Sequence, residues 1–176
     1  MHYADIKKYD VANGPGIRIS LFVSGCTHHC KGCFNETAWD FQYGNVFTKT
    51  EEDEIIEYLK NDFVSGITVL GGEPFEYVNQ EGILPLLKRV REEFPNKSIW
   101  VFSGYLFDKD ITDKMLKDYD VTKELLNYID VIVDGKFELE KKNLRLKFRG
   151  SSNQRIVDVK ESMKHKKVVL IEEFMN

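Results

Sequence analysis

Apolar and polar positions alternate over Ile17-Arg18-Ile19-Ser20 and become continuously apolar through Leu21-Phe22-Val23, the pattern of a strand passing into a core. Thr50-Glu51-Glu52-Asp53 precedes Ile55, Ile56 and Leu59. A hydroxyl N-cap followed by acids facing the positive end of the helix dipole predicts a helix from Thr50 to near Asn61. Gly66-Ile67-Thr68-Val69-Leu70 is a short, largely β-branched run broken by Gly71-Gly72, which predicts a buried strand ending in a tight loop. From Ile83, the apolar positions Leu84, Leu87, Val90 and Phe94 recur at helical spacing until Pro95-Asn96 stops them. Strands are predicted at Ile99–Phe102 and at Val131–Val133, the second turning at Asp134-Gly135, with two weak helical stretches between 110 and 128. Val168-Val169-Leu170-Ile171 suits a late edge strand, a terminal core element or a partner-facing segment.

Strand and helix signals therefore alternate. Such alternation implies an α/β domain of parallel strands joined by right-handed crossovers, either an open doubly wound sheet or a partial barrel. In both, ligands sit at the carboxyl ends of the strands. The 176 residues suit one core, and 42% hydrophobic with 31% charged residues is the composition of a globular chain. No apolar run approaches the ~20 residues of a membrane span, and Met1-His2-Tyr3-Ala4-Asp5 lacks a secretory layout, so the expected location is cytoplasmic. A net charge of -4 and a pI near 5.6 argue against a nucleic-acid partner, the local cluster Lys164, His165, Lys166 and Lys167 notwithstanding.

All three cysteines fall in Cys26-Thr27-His28-His29-Cys30-Lys31-Gly32-Cys33, a C-x3-C-x2-C spacing. A disulfide framework is spread out and even-numbered, so these thiols point to an intracellular metal or redox site. Thiolates suit zinc, Cu(I) and iron–sulfur centres, and three of them on a [4Fe-4S] cluster leave one iron open to a small molecule. The alternative is a zinc site completed by His28 or His29, which would make the chain a zinc-stabilised, non-catalytic binding module. Gly71-Gly72-Glu73-Pro74 follows a predicted strand and so lies on the rim to which strand 17–23 delivers the cysteines. Its glycines allow a ligand's ammonium or ribose to approach the main chain. Asn13-Gly14-Pro15-Gly16 lacks the preceding strand and following helix of a dinucleotide fingerprint and reads as a turn beside the site. For Arg18, Trp39, Lys136 and Arg149, contact with a cofactor or partner stands beside ordinary packing.

The cysteine triplet resembles the signature of the radical S-adenosylmethionine superfamily, and Gly71-Gly72-Glu73-Pro74 resembles its methionine-binding loop. Within that superfamily the chain is most similar to the activators of anaerobic ribonucleotide reductases. Asn13–Arg18, Leu21–Cys26, Cys30–Asn35, Trp39, Val133–Phe137 and Arg149–Gln154 carry the likeness, which runs from about residue 5 to about residue 155. The resemblance implies a parallel-stranded partial (β/α) barrel in a single domain, with 1–155 as its core and 156–176 as a C-terminal extension. It implies a [4Fe-4S] cluster on Cys26, Cys30 and Cys33, with the open iron chelated by S-adenosyl-L-methionine. Gly32, Cys33 and Phe34 would border the adenine, and Gly71, Gly72 and Glu73 would meet the methionyl end; no catalytic residue is implied beyond the cluster ligands.

Many superfamily members carry an aromatic residue just before the third cysteine; this chain has Gly32 there and Phe34 just after, as in the reductase activators. The implied activity is reductive cleavage of S-adenosylmethionine to methionine and a 5′-deoxyadenosyl radical, which takes a hydrogen from a glycine of the reductase large subunit. The implied electron donor is a flavodoxin-type reductant. A second reading keeps the chemistry and changes the target to another glycyl-radical enzyme or a small molecule. The lack of further cysteines argues against activators that carry extra clusters.

Overall fold

The computed structural model describes residues Met1–Met175 and shows a mixed α/β single domain built on one seven-stranded sheet. The strands are β1 (His2–Asp10), β2 (Ile17–Val23), β3 (Asn45–Val46), β4 (Val64–Gly71), β5 (Ser98–Ser103), β6 (Val131–Asp134) and β7 (Arg155–Asp158), in the order β3-β1-β2-β4-β5-β6-β7. The expectation of parallel strands holds for the central four, β2, β4, β5 and β6. Both flanks depart from it: β1 on one side and β7 on the other run antiparallel to their central neighbours, and β3 pairs antiparallel with β1. The six residues 11–16 between β1 and β2 are too few for a crossover, so only an antiparallel return is open to them.

Two faces of the sheet are covered differently. Ile19, Leu21 and Val23 of β2, with Ile67, Val69, Ile99, Val101 and Ile132, form the main core against α1 (Lys49–Leu59) and α2 (Tyr77–Glu93). That layer also takes a π-helical turn at Phe107–Met115, the short α3 (Leu116–Asp118) that continues it, and α4 (Asp120–Leu126). On the opposite face Trp100, Val131, Val133 and Ile156 meet no such helix; Phe148 and the tail residues Ile171, Phe174 and Met175 pack there instead. Beyond β7 the chain forms α5 (Val159–His165) and turns on Lys166 at a φ of 52°.

Two sequence expectations are corrected. The cap of α1 is Thr48, two residues before Thr50: Thr48 and Glu51 form a reciprocal capping box. Helix α2 begins at Tyr77, six residues before Ile83, because its first turn presents Tyr77 and Val78 to solvent and buries Asn79 and Gln80, the reverse of the hydrophobic pattern. Of the readings open for 168–171, the terminal core element holds: Val168 and Leu170 pack against the main core and Ile171 against the opposite face, with an isolated bridge from Leu170 to Val157.

Candidate metal centre

All four parallel strands end on one rim. Strand β2 leads through Ser24 and Gly25 to Cys26, β4 to Gly72 and Glu73, β5 to Gly104, and β6 to Gly135. Residues from all four loops line a cavity of about 130 Å³ that includes Cys26, Cys30, Cys33, His28, Gly71, Gly72 and Glu73. An adjoining cavity of about 430 Å³ shares Cys33, Phe34, Leu70, Phe102, Phe137 and Gln154 with it and adds Gly32 and Arg149. The sequence-predicted site residues are thus brought together, Gly32 on the larger cavity and the rest on the smaller, with Cys33 and Phe34 on both. Phe34 is 87% exposed, so its ring stands at the mouth.

The cysteine loop is closed at its base by main-chain pairing: Gly25 N donates to Ala38 O (2.8 Å) and Cys26 N to Trp39 O (3.2 Å). Gly25 has a φ of 98°, and a side chain there would run into the Phe41 ring. The second loop is laid directly on the first. Gly72 N donates to Val23 O (2.7 Å) and Glu73 N to Gly25 O (2.8 Å). A Cβ on Gly72 would lie 2.5 Å from Gly25 O, and one on Gly71 2.7 Å from Val23 O. The glycines of this loop therefore allow close approach of the cysteine loop's own backbone.

Glu73 is buried, and its carboxylate accepts four hydrogen bonds: from His28 Nε2 (2.8 Å), Ser103 Oγ (2.8 Å), Gly104 N (2.7 Å) and Phe75 N (2.8 Å). A buried carboxylate needs such donors to offset its desolvation. His28 is correspondingly buried, its ring edge-on to Tyr105 at 4.3 Å. His29 stands apart, with a φ of 49° and its ring stacked on Trp39 at 4.5 Å. Arg18 lies at the other end of β2, fully buried, giving hydrogen bonds to Thr68 Oγ1, Ile67 O and Ser98 O, so packing is its role. Arg149 lines the larger cavity and donates to Gln154 O and Met175 O.

The donor set suits an iron–sulfur cluster. Burial pushes the Cys26 thiol up to about 11, opposed by backbone hydrogen bonds from His28 and His29. Burial also raises the Cys30 thiol, opposed by a backbone hydrogen bond from Phe137. Asn35 N points to Cys33 Sγ at 3.5 Å. Main-chain N–H groups near the sulfurs favour the thiolate form, whose proton leaves when metal binds. Among the described residues no three His, Cys, Asp or Glu side chains gather closely enough to share one ion. A cluster spreads its thiolates over separate irons, so three thiols along one cavity wall fit it.

Sequence reasoning did not single out Asn79, Ser103, Gly104 or Tyr105. Ser103-Gly104 directly follows a predicted strand, so the rule that sites gather at strand carboxyl ends was a signal for it. Asn79 gave none, being a polar residue in the first turn of a helix.

The family model described as "4Fe-4S single cluster domain" matches residues 12–157. A protein of Haemophilus influenzae named anaerobic ribonucleoside-triphosphate reductase-activating protein is 44% identical over 156 residues, covering 88% of this chain and 96% of that one. Proteins of the same name from Enterobacteria phage T4 and Escherichia coli K12 are each 42% identical, covering 89% and 88% of this chain and 93% and 96% of theirs.

Proposed function

The chain belongs to the family of anaerobic ribonucleoside-triphosphate reductase-activating proteins with a 4Fe-4S single cluster domain, and from that premise we propose that it generates the glycyl radical of an anaerobic ribonucleotide reductase by reductive cleavage of S-adenosylmethionine. The observation that carries this reading is the joining of Cys26, Cys30, Cys33 and the Gly71-Gly72-Glu73 loop on one cavity at the carboxyl ends of four parallel strands. When bound, a [4Fe-4S] cluster with one iron free of protein thiolate supplies the electron that breaks the sulfonium bond to the 5′ carbon.

The chain's own residues bind, orient and shield. Cys26, Cys30 and Cys33 hold three irons. Main-chain groups of Gly71, Gly72 and Glu73 take the methionyl end. Gly32, Cys33 and Phe34 border the adenine, and the larger cavity beside them admits the partner's glycine. The apolar walls Leu70, Phe102 and Phe137 keep water from the reactive carbon. In this reading the parallel strands form the partial barrel of the radical S-adenosylmethionine type, residues 1–155 carry the chemistry, and 156–176 extend the same domain. A flavodoxin-type protein delivers the electron in the cytoplasm; no helix among the described residues is long and apolar enough to cross a membrane.

The test is electron paramagnetic resonance of the reductase large subunit after anaerobic incubation with the reconstituted protein, reductant and S-adenosylmethionine. A glycyl doublet on that subunit is expected. A doublet that forms only on a different glycyl-radical enzyme moves the target, and a protein that reconstitutes only with zinc overturns the reading.

A further inference from the structure

Beneath the cavity, Asn79 of α2 is fully buried and reaches both loops that build the site. Its Nδ2 donates to Ser24 O (3.0 Å) and more weakly to Gly25 O (3.4 Å) on the loop leading to Cys26, and to Glu73 O (2.9 Å) on the glycine loop. Its Oδ1 is buried without a hydrogen-bond partner among the described residues. Leaving a buried acceptor orphaned is costly, so an amide kept in this pose has its donor side in demand. The carbonyls it holds also serve the loop-to-loop pairing, since Gly25 O accepts from Glu73 N.

We infer that Asn79 is a positioning residue: its amide fixes the separation between the cysteine loop and the Gly71-Gly72-Glu73 loop, and so the placement of S-adenosylmethionine against the cluster. This rests on the proposed activity and goes beyond it, because Asn79 touches neither cysteine sulfur nor cavity. The amide is suited to the task because its two N–H hydrogens serve carbonyls from both loops at once. A residue that merely filled space would remove the one side-chain donor these carbonyls share, leaving Gly25 O and Glu73 O only their main-chain donors, Glu73 N and Glu76 N, and the two loops freer to part.

The discriminating variant is Asn79→Asp, which keeps the shape and replaces the donor by an acceptor facing three carbonyl oxygens. After anaerobic reconstitution it is expected to hold iron at the wild-type level while its KM for S-adenosylmethionine rises about tenfold or more. Independently of activity, the Gly72 and Glu73 amides of the unloaded protein are expected to exchange hydrogen about tenfold faster, as the loops separate. Asn79→His, whose Nδ1–H can stand where Nδ2–H stood, is expected to recover part of both effects.

Asn79→Asp with unchanged KM and unchanged exchange overturns the inference, and so does a loss of iron parallel to the loss of turnover, which marks a general structural role. If Asn79→Asp does not fold, Asn79→Ala carries the same measurements; failure of both to fold also assigns a structural role alone. If wild-type protein does not cleave S-adenosylmethionine at all, the proposed function fails, while the exchange experiment still decides whether Asn79 ties the loops.

Discussion

His28 Nε2 lies 2.8 Å from Glu73 Oε2, with the two side chains 6% and 1% exposed. One residue sits between the first two cysteines and the other ends the Gly-Gly-Glu run, so a single buried contact ties together the two motifs that the sequence sets 45 positions apart. The same carboxylate takes Ser103 Oγ and Gly104 N, which brings in the loop after β5.

Replacing Glu73 by Leu strands the imidazole, a hydroxyl and two backbone N–H groups in a buried site. The expected cost is at least ~1–3 kcal/mol, the size seen when a buried donor is left unsatisfied. Urea denaturation of the metal-free protein checks this. Glu73→Gln, which keeps acceptor and shape, is expected to lose less than half as much.

At Gly72 the limit is space. A methyl group there would lie 2.5 Å from Gly25 O and 3.0 Å from Ala38 O, both backbone atoms that cannot step aside alone. Gly72→Ala is expected to cost ~1–3 kcal/mol and to lower the iron incorporated on reconstitution. Gly135 is the contrast: its φ is 102°, but the nearest atoms to an added Cβ are 3.7 Å away, so Gly135→Ala carries backbone strain of ~1–2 kcal/mol without displacing a neighbour. Thermal unfolding of the two variants, with iron analysis, separates the mechanisms.

Asp130 gives the fold an acid-sensitive joint. Burial pushes its carboxyl up, but hydrogen bonds from Lys160, the Ile99 backbone and Arg91 outweigh burial and hold it below the usual carboxylate range. Its folded value is lower than its unfolded one, so the stability it contributes is present above about pH 4 and is lost as pH falls through the folded value. Asp130→Asn is therefore expected to lower stability at neutral pH and to flatten its decline on acidification below about pH 4, measured by denaturant titration at a series of pH values.

The central strands were legible because β2, β4, β5 and β6 are short, largely apolar runs that end at or just before Gly or the cysteine loop. The cysteine triplet and the glycine loop were legible as chemistry. Strand β1 was not: His2–Asp10 carries charges at Asp5, Lys7, Lys8 and Asp10, and none of its residues is fully buried, so it lacks the apolar signature. Strands β3 and β7, of two and four residues, are fixed by their neighbours in the sheet. The start of α2 was hidden because its buried first turn is polar, and that polarity is what serves the site: Asn79 holds three carbonyls and Gln80 donates to Phe75 O and accepts from Thr122 Oγ1. Tertiary hydrogen bonds of this kind leave no trace in hydrophobic periodicity.

Arg18 closes the opposite end of the sheet. Its guanidinium is fully buried with no carboxylate in contact among the described residues, and burial lowers its pKa to about 10. Arg18→Leu leaves Thr68, Ile67 and Ser98 oxygens without donors and is expected to cost ~2–4 kcal/mol. The iron content of protein that remains folded should not change, because the residue lies at the far end of β2 from Cys26; iron analysis of the folded fraction checks this.

The most direct measurement is 5′-deoxyadenosine production by the anaerobically reconstituted protein with dithionite and S-adenosylmethionine, with Cys30→Ala alongside. Radical cleavage at the cluster predicts 5′-deoxyadenosine and methionine in equal amounts from the wild type and none from the variant. A wild-type protein that holds zinc and forms no 5′-deoxyadenosine, or a Cys30→Ala variant that forms as much as the wild type, would contradict it.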